Sequence, residues 1–142
     1  MASRILILGG GFAGLTAARK LENMLRPEEA EIVLVSRENY SLFTPMLPEV
    51  GSGNLETRHV VTPVRAQLKR STFVLADVCE VDLAAKRVEV EHTIMGTHQT
   101  LAYDQLIFRP LVVWGDRFRI DAECLDFGWV QAVRAVIKFF SH

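Results

Sequence analysis

Nowhere in the chain do about 18 uninterrupted apolar residues follow one another, so no membrane-spanning helix is encoded. A secretory leader is also missing, because Gly9-Gly10-Gly11 interrupts the first apolar segment and no basic stretch precedes it; secretion is not expected. Cysteine is scarce. Cys79 and Cys124 stand far apart and form no CxxC pair, which excludes a vicinal redox disulfide and a thiolate zinc site. Both are expected to be reduced thiols, as in cytosol. Charge of one sign is lacking too: the net charge is -1 and no segment is rich in Lys or Arg, so no nucleic-acid partner is expected. His59, His92, His98 and His142 have no partner at ligand spacing, and no serine or cysteine nucleophile signature accompanies them. Neither a catalytic residue nor a metal site is therefore expected. Internal repeats and low-complexity segments are absent.

What the chain does have is apolar material for a core, 49% hydrophobic against 23% charged, over a length that suits one domain. Its most informative stretch is Gly9-Gly10-Gly11-Phe12-Ala13-Gly14, which follows the apolar run Ile5-Leu6-Ile7-Leu8 and opens a helical-looking segment from Leu15 to Leu25. Strand, glycine turn and helix occur in the order a dinucleotide requires. One glycine serves the tight turn, one lets backbone approach a pyrophosphate, and one permits close packing of helix on strand. The phosphates would then meet the helix N-terminus at Phe12 and Ala13, where free N–H groups and the helix dipole favour an anion. Leu15, Ala18, Leu21 and Leu25 recur at helical spacing, and Glu31 to Val35 supplies a second apolar strand.

An acidic residue about 20 positions past the glycines usually holds the adenosine ribose. Ser36-Arg37-Glu38 occupies that place. If the strand continues, Ser36 and Glu38 point to one side, where either could reach the ribose hydroxyls, and Arg37 points to the other. Arg37 and Glu38 also suit a solvated strand end, and an arginine here suits a ribose phosphate.

Further along, Thr62-Pro63 predicts a short helix with proline at its first position, running through Val64 and Leu68 to Lys69-Arg70. Phe73 to Val78 reads as a buried strand. Val88, Val90 and His92 alternate with Arg87, Glu89 and Glu91 as in a half-exposed antiparallel strand. Gly96-Thr97 supplies a turn before Gln99 to Tyr103, and Gln105 to Phe108 could rejoin a parallel sheet. The expected fold class is α/β: a Rossmann-like nucleotide-binding domain with a central parallel sheet and a small β-meander.

Several separated segments resemble the type II NADH dehydrogenases, single-subunit flavoproteins of the pyridine-nucleotide disulfide oxidoreductase group. They are Ile5 to Leu21, Val33 to Val50 (VLVSRENYSLFTPMLPEV), Arg58 to Arg65, and Thr100 to Ile107 (TLAYDQLI). The resemblance implies FAD at the first glycine fingerprint and NADH as co-substrate at a second, later one, with electrons passing through the flavin to a quinone. It gives Gly9, Gly11 and Gly14 the FAD pyrophosphate and places the ribose contact at Ser36, where the family commonly has an acid. Thr44, Pro45 and Met46 become candidates for lining the flavin, although Pro45 and Pro48 would equally rigidify a surface loop. Asp77 and Val78 fall where backbone meets the adenine side.

After Ile107 the family continues into a small-residue loop, whereas this chain has Phe108-Arg109-Pro110-Leu111. The remainder departs from the family pattern, which suggests a truncated or frameshifted gene product or a divergent tail. Two regions are therefore expected: a nucleotide-binding domain over 1–108 and a tail over 109–142. Trp129, Val133, Val136, Ile137 and Phe140 form an apolar stripe in that tail, predicting an amphipathic helix near 125–140 that packs on a core or lies on a membrane surface. No second GxGxxG occurs in the sequence. The expected function is the FAD-binding portion of an NADH dehydrogenase-like oxidoreductase, incomplete as a lone chain. The alternatives are a non-catalytic nucleotide-binding module or remnant, and an NADP-binding reductase domain suggested by Ser36-Arg37. The expected location is cytoplasmic, or peripheral to the inner face of the plasma membrane.

Overall fold

The computed structural model describes residues 2–108. The anticipated tail helix and its membrane reading therefore lie outside the described residues, as does Cys124. Strand β1 (Ser3–Leu8) leads through the glycine turn into helix α1 (Phe12–Met24), followed by β2 (Ala30–Ser36). A short ribbon follows, with β3 (Tyr40–Leu42), a tight turn at Thr44–Met46, α2 (Leu47–Gly51), a second turn at Thr57–His59, and β4 (Val61–Pro63). The single-turn helix α3 (Val64–Gln67) then precedes β5 (Thr72–Asp82), β6 (Arg87–His92), β7 (His98–Ala102) and β8 (Gln105–Phe108).

Six strands form one sheet in the order β7-β6-β5-β2-β1-β8, while β3 and β4 pair separately. Pairing is parallel from β5 through β2 and β1 to β8, and antiparallel from β5 through β6 to β7. The fold is thus the expected Rossmann-like sheet with a β-meander. Both parts share β5: its first residues pair with β2 and its later ones with β6, with a register shift between Val78 and Glu80.

The run Ile5-Leu6-Ile7 is apolar without a break because both faces of β1 are covered. Side chains alternate along a strand, so Ile5 and Ile7 join Leu15, Ala18 and Leu21 of α1, with Ile32, Leu34 and Ile107. Leu6 faces the other way, with Val33 and Val35, into a second cluster closed by Val81, Val88, Val90 and Tyr103. The meander therefore covers the face that α1 does not.

Residues 62–71 depart from the expected helix. Thr62 and Pro63 pair as strand with Ser41 and Tyr40, α3 spans only Val64–Gln67, and Leu68 is extended. The helix stops because the next backbone groups are taken by a tertiary partner. Glu22, on the buried side of α1, accepts hydrogen bonds from the N–H groups of Lys69, Arg70 and Ser71 and from the Ser71 hydroxyl, at 2.7–3.2 Å. Arg70 in turn reaches the end of α1, where its guanidinium donates to the Leu25 carbonyl at 2.5 Å. A cation at this terminus satisfies an orphan carbonyl and complements the dipole. The basic pair read as the end of its own helix thus includes the residue that caps α1.

Burial opposes charge on Glu22, but the Ser71 hydroxyl and the three backbone N–H groups outweigh it and hold the carboxyl below its ordinary 4.5. The unfolded chain therefore takes up the proton first as pH falls, so this contribution to stability is full above that range and fades through the lower folded value. Glu22→Gln is expected to cost about 2 kcal/mol at neutral pH, since hydrogen bonds to a charged acceptor weaken. The checks are urea midpoints of both proteins at pH 7 and in progressively stronger acid. A gap between them that fails to narrow in acid would contradict this account.

Candidate functional site

The glycine turn has a separate physical reason at each position. Gly9 has φ of +105°, a conformation L side chains rarely adopt, and its N–H donates to the Val35 carbonyl at 2.8 Å, tying the turn to β2. A Cβ at Gly10 would stand 2.7 Å from the Ser36 hydroxyl oxygen. At Gly14 it would overlap the Gly9 carbonyl oxygen and touch Ile7, so the helix lies on its strand only because position 14 carries a hydrogen. Gly11 differs. It precedes α1 with ordinary φ of -74°, and a Cβ there would meet nothing within 4 Å. Its bare backbone faces open space beside the first turn of α1, where Phe12, Ala13 and Gly14 carry N–H groups that no earlier helical carbonyl can satisfy.

Beyond the turn lies an open cleft of about 290 Å³, lined by Gly9, Val35, Ser36, Arg37, Glu38, Ala76, Asp77 and Val78. It opens where β1 and β2 end and where β5 passes from one pairing to the other, the position ligands take at carboxyl ends of strands in open α/β sheets. Ser36-Glu38 and Asp77-Val78, assigned from separate parts of the sequence, are thus brought together. β2 stops at Ser36, so strand alternation does not separate the next two residues, and Arg37 lines the cleft along with Glu38. The Ser36 hydroxyl accepts the Glu38 N–H at 3.3 Å. Arg37 and Glu38 approach only to 4.0 Å with both side chains largely exposed, a weak pair. The Glu38 carboxylate also faces the Tyr40 hydroxyl, and hydrogen bonding to that carboxylate, with its negative charge, raises the phenol above its usual range.

Thr44, Pro45 and Met46 do not line this cleft. They form the tight turn after Phe43, whose ring meets Phe12 edge to face at 5.6 Å and 77°. That contact sets the turn beside the start of α1, where Phe12, Phe43, Met46 and Leu47 leave an exposed apolar patch. The sequence reading omitted Val35 and Ala76, which strand-end logic could have supplied. Phe43 was also omitted, and no local signal marks it as a partner of Phe12.

A strand, glycine turn and helix over a parallel sheet, with a cleft at its carboxyl edge, define a Rossmann-like dinucleotide-binding fold. The chain belongs to the pyridine nucleotide-disulphide oxidoreductase family, which matches residues 3–108; its members are FAD/NAD(P)-dependent. It is 38% identical over 93 residues to a type II NADH:quinone oxidoreductase of Staphylococcus aureus, covering 64% of this chain. That match spans only 23% of the relative's length. Among solved structures, NDH2 from Plasmodium falciparum in complex with NADH superposes with a TM-score of 0.67 at 25% identity, over 76% of this chain and 22% of that one. Reduced Bacillus anthracis CoADR-RHD gives 0.65 at 25% identity, over 78% and 20%.

The two glycines flanking the helix start separate by experiment. Gly14→Ala should lose about 1–3 kcal/mol, because the added methyl must push α1 off β1. Gly11→Ala should melt within about 0.5 kcal/mol of the parent, as a change made away from packed groups. Thermal or urea unfolding checks both, and equal losses would refute the division of roles.

Proposed function

We propose that residues 2–108 form the part of an NADH dehydrogenase-like flavin oxidoreductase that holds the adenosine diphosphate half of FAD. The observation that carries this reading is the cleft that brings Gly9 of the glycine turn together with Ser36-Glu38 and Asp77-Val78, while Gly11, Phe12, Ala13 and Gly14 lie outside its lining, at the start of α1. The cradle fits the group: Gly11 leaves room where a side chain would intrude, and the first-turn N–H groups of α1 suit a pyrophosphate. Gly9, Gly11, Phe12, Ala13 and Gly14 would meet the phosphates, Ser36, Arg37 and Glu38 the ribose, and Asp77 and Val78 the adenine side. Thr44, Pro45 and Met46, held beside α1 through Phe43, are the candidates to approach the flavin ring.

When bound, FAD supplies the redox chemistry, accepting hydride from NADH and yielding electrons to a quinone; the protein supplies binding, orientation and exclusion of side reactions. The named activity of the Staphylococcus relative supports NADH and quinone as the partners. No helix among the described residues is long and apolar enough to cross a membrane.

A second reading, a nucleotide-binding module without turnover of its own, is favoured by the single glycine fingerprint within these 142 residues. Hydride delivery from NADH needs a site for a second nucleotide. The chain alone is accordingly expected to bind FAD while oxidising NADH little or not at all.

Purification without added cofactor, followed by a visible spectrum and chromatography of released nucleotide, tests the proposal. FAD near one per chain is the expected result, with Gly11→Ala lowering affinity at least about tenfold, a loss of about 1.4 kcal/mol. A colourless protein that takes up no added FAD would overturn it. Preference for NADPH over FAD would instead support the NADP-binding alternative.

A further inference from the structure

We propose that residues 109–142 of this chain cover the apolar patch beside the start of α1, seating the stripe that begins at Trp129 on Phe12, Phe43, Met46 and Leu47. These residues lie outside the described ones; what points to them is their sequence, the place where β8 releases the chain, and the patch itself. The arrangement needs no bound nucleotide.

The patch is built around two half-bare aromatic rings. Phe12 keeps 54% and Phe43 45% of its surface exposed, although the two meet edge to face. Met46 and Leu47 extend the same surface, and the Met46 N–H donates to the Phe43 carbonyl at 3.2 Å, closing the turn that holds them there. Large apolar side chains gathered in this way on a small domain mark a contact surface. Other exposed apolar side chains stand apart from it, Met24 at the far end of α1, and Ile94 and Met95 on the turn between β6 and β7.

The chain leaves the described domain next to this patch. β8 runs parallel to β1 with Phe108 registered against Leu8, one strand spacing of about 4.8 Å away. Residue 109 therefore starts at the carboxyl edge of the sheet, where the glycine turn after Leu8 delivers the chain to Phe12. Ile94 and Met95 belong to the opposite edge, because β8 ends the strand order on one side and β7 on the other. A connection of about 20 residues from Phe108 to Trp129 holds the stripe near its origin at an effective concentration on the order of a millimolar.

The sequence of the segment matches what the patch offers. Trp129, Val133, Val136, Ile137 and Phe140 are spaced to line one side of a helix, with Gln131, Arg134 and Lys138 on the other. Glu49, exposed in the first turn of α2, puts an acid at the rim that suits Arg134 and Lys138. The nucleotide cleft stays open under this cover, since Phe12, Phe43, Met46 and Leu47 are not among its lining residues.

Trp114 and Trp129 are the two tryptophans of the chain, so indole fluorescence reports on residues 109–142 alone. The test is the emission and acrylamide quenching of Trp129 in the full chain carrying Trp114→Phe. Emission to the blue of an indole in water, with slowed quenching and no change on dilution, is expected. Leu47→Asp should move the emission to the red and restore fast quenching, whereas Ile94→Asp should alter neither. Position 47 is exposed and opens α2, where an acid is well placed, so the domain keeps its fold; circular dichroism checks this. Val133→Asp, made from the other side of the contact, should also expose Trp129 and should raise binding of the apolar dye anilinonaphthalene sulfonate to the uncovered patch. A Trp129 as exposed in the parent as free indole, protection that survives Leu47→Asp, or protection lost equally in Ile94→Asp each overturns the proposal. So does protection lost on dilution, which would make a second copy the occupant, or protection gained only with phosphatidylglycerol vesicles, which would assign the stripe to a membrane surface.

Discussion

Everything at the carboxyl edge of this sheet depends on how closely α1 can lie on β1. A single hydrogen at Gly14 permits that approach, since the Gly9 carbonyl oxygen occupies the space a methyl group would need. The contact aims the first turn of the helix at the open space beside Gly11. The glycine fingerprint is thus a packing constraint in its own right. Where the first-turn N–H groups of α1 point is set by where the helix rests.

The other end of α1 is held by charge rather than by close packing. Glu22 gathers three consecutive N–H groups and a hydroxyl from the segment before β5, and Arg70 returns a cation to the end of the helix. One buried carboxylate therefore orders both the exit from α1 and the entry to β5. A fully satisfied acceptor of this kind costs little to bury, whereas the same group without partners would be strongly destabilising. Through β5 its influence reaches the cleft, because Ala76, Asp77 and Val78 lie on the same strand.

Much of this was legible in the sequence, for identifiable reasons. The run Ile5-Leu6-Ile7-Leu8 and the glycines after it carry a local signal, because each residue type there answers a backbone or packing need of its own position. The alternation of Val88, Val90 and His92 likewise marks a strand with one face covered. The segment after Pro63 misled, because proline and apolar spacing favour a helix locally while Glu22, more than forty residues earlier, offers better partners to the same backbone. Strand alternation also failed at Arg37, since it holds only while the strand lasts and β2 ends one residue before. The pairing of Phe12 with Phe43 has no local signature at all, and long-range side-chain contacts of this sort are what periodicity cannot supply.

The position of β1 has a consequence for the order in which the molecule can assemble. It is the first described strand, yet it is flanked by β2 on one side and by β8, the last described strand, on the other. Arg4 and Asp104, 100 residues apart, exchange hydrogen bonds that pin this last pairing, the Arg4 N–H donating to the Asp104 carboxylate and the Asp104 N–H to the Arg4 carbonyl. During synthesis β1, whose central residues are fully buried in the finished sheet, therefore waits with one edge open until β8 has also left the ribosome. Such an edge invites pairing with other chains while it is exposed. The burden of keeping the nascent protein from aggregating falls on the interval between making β1 and closing β8 against it.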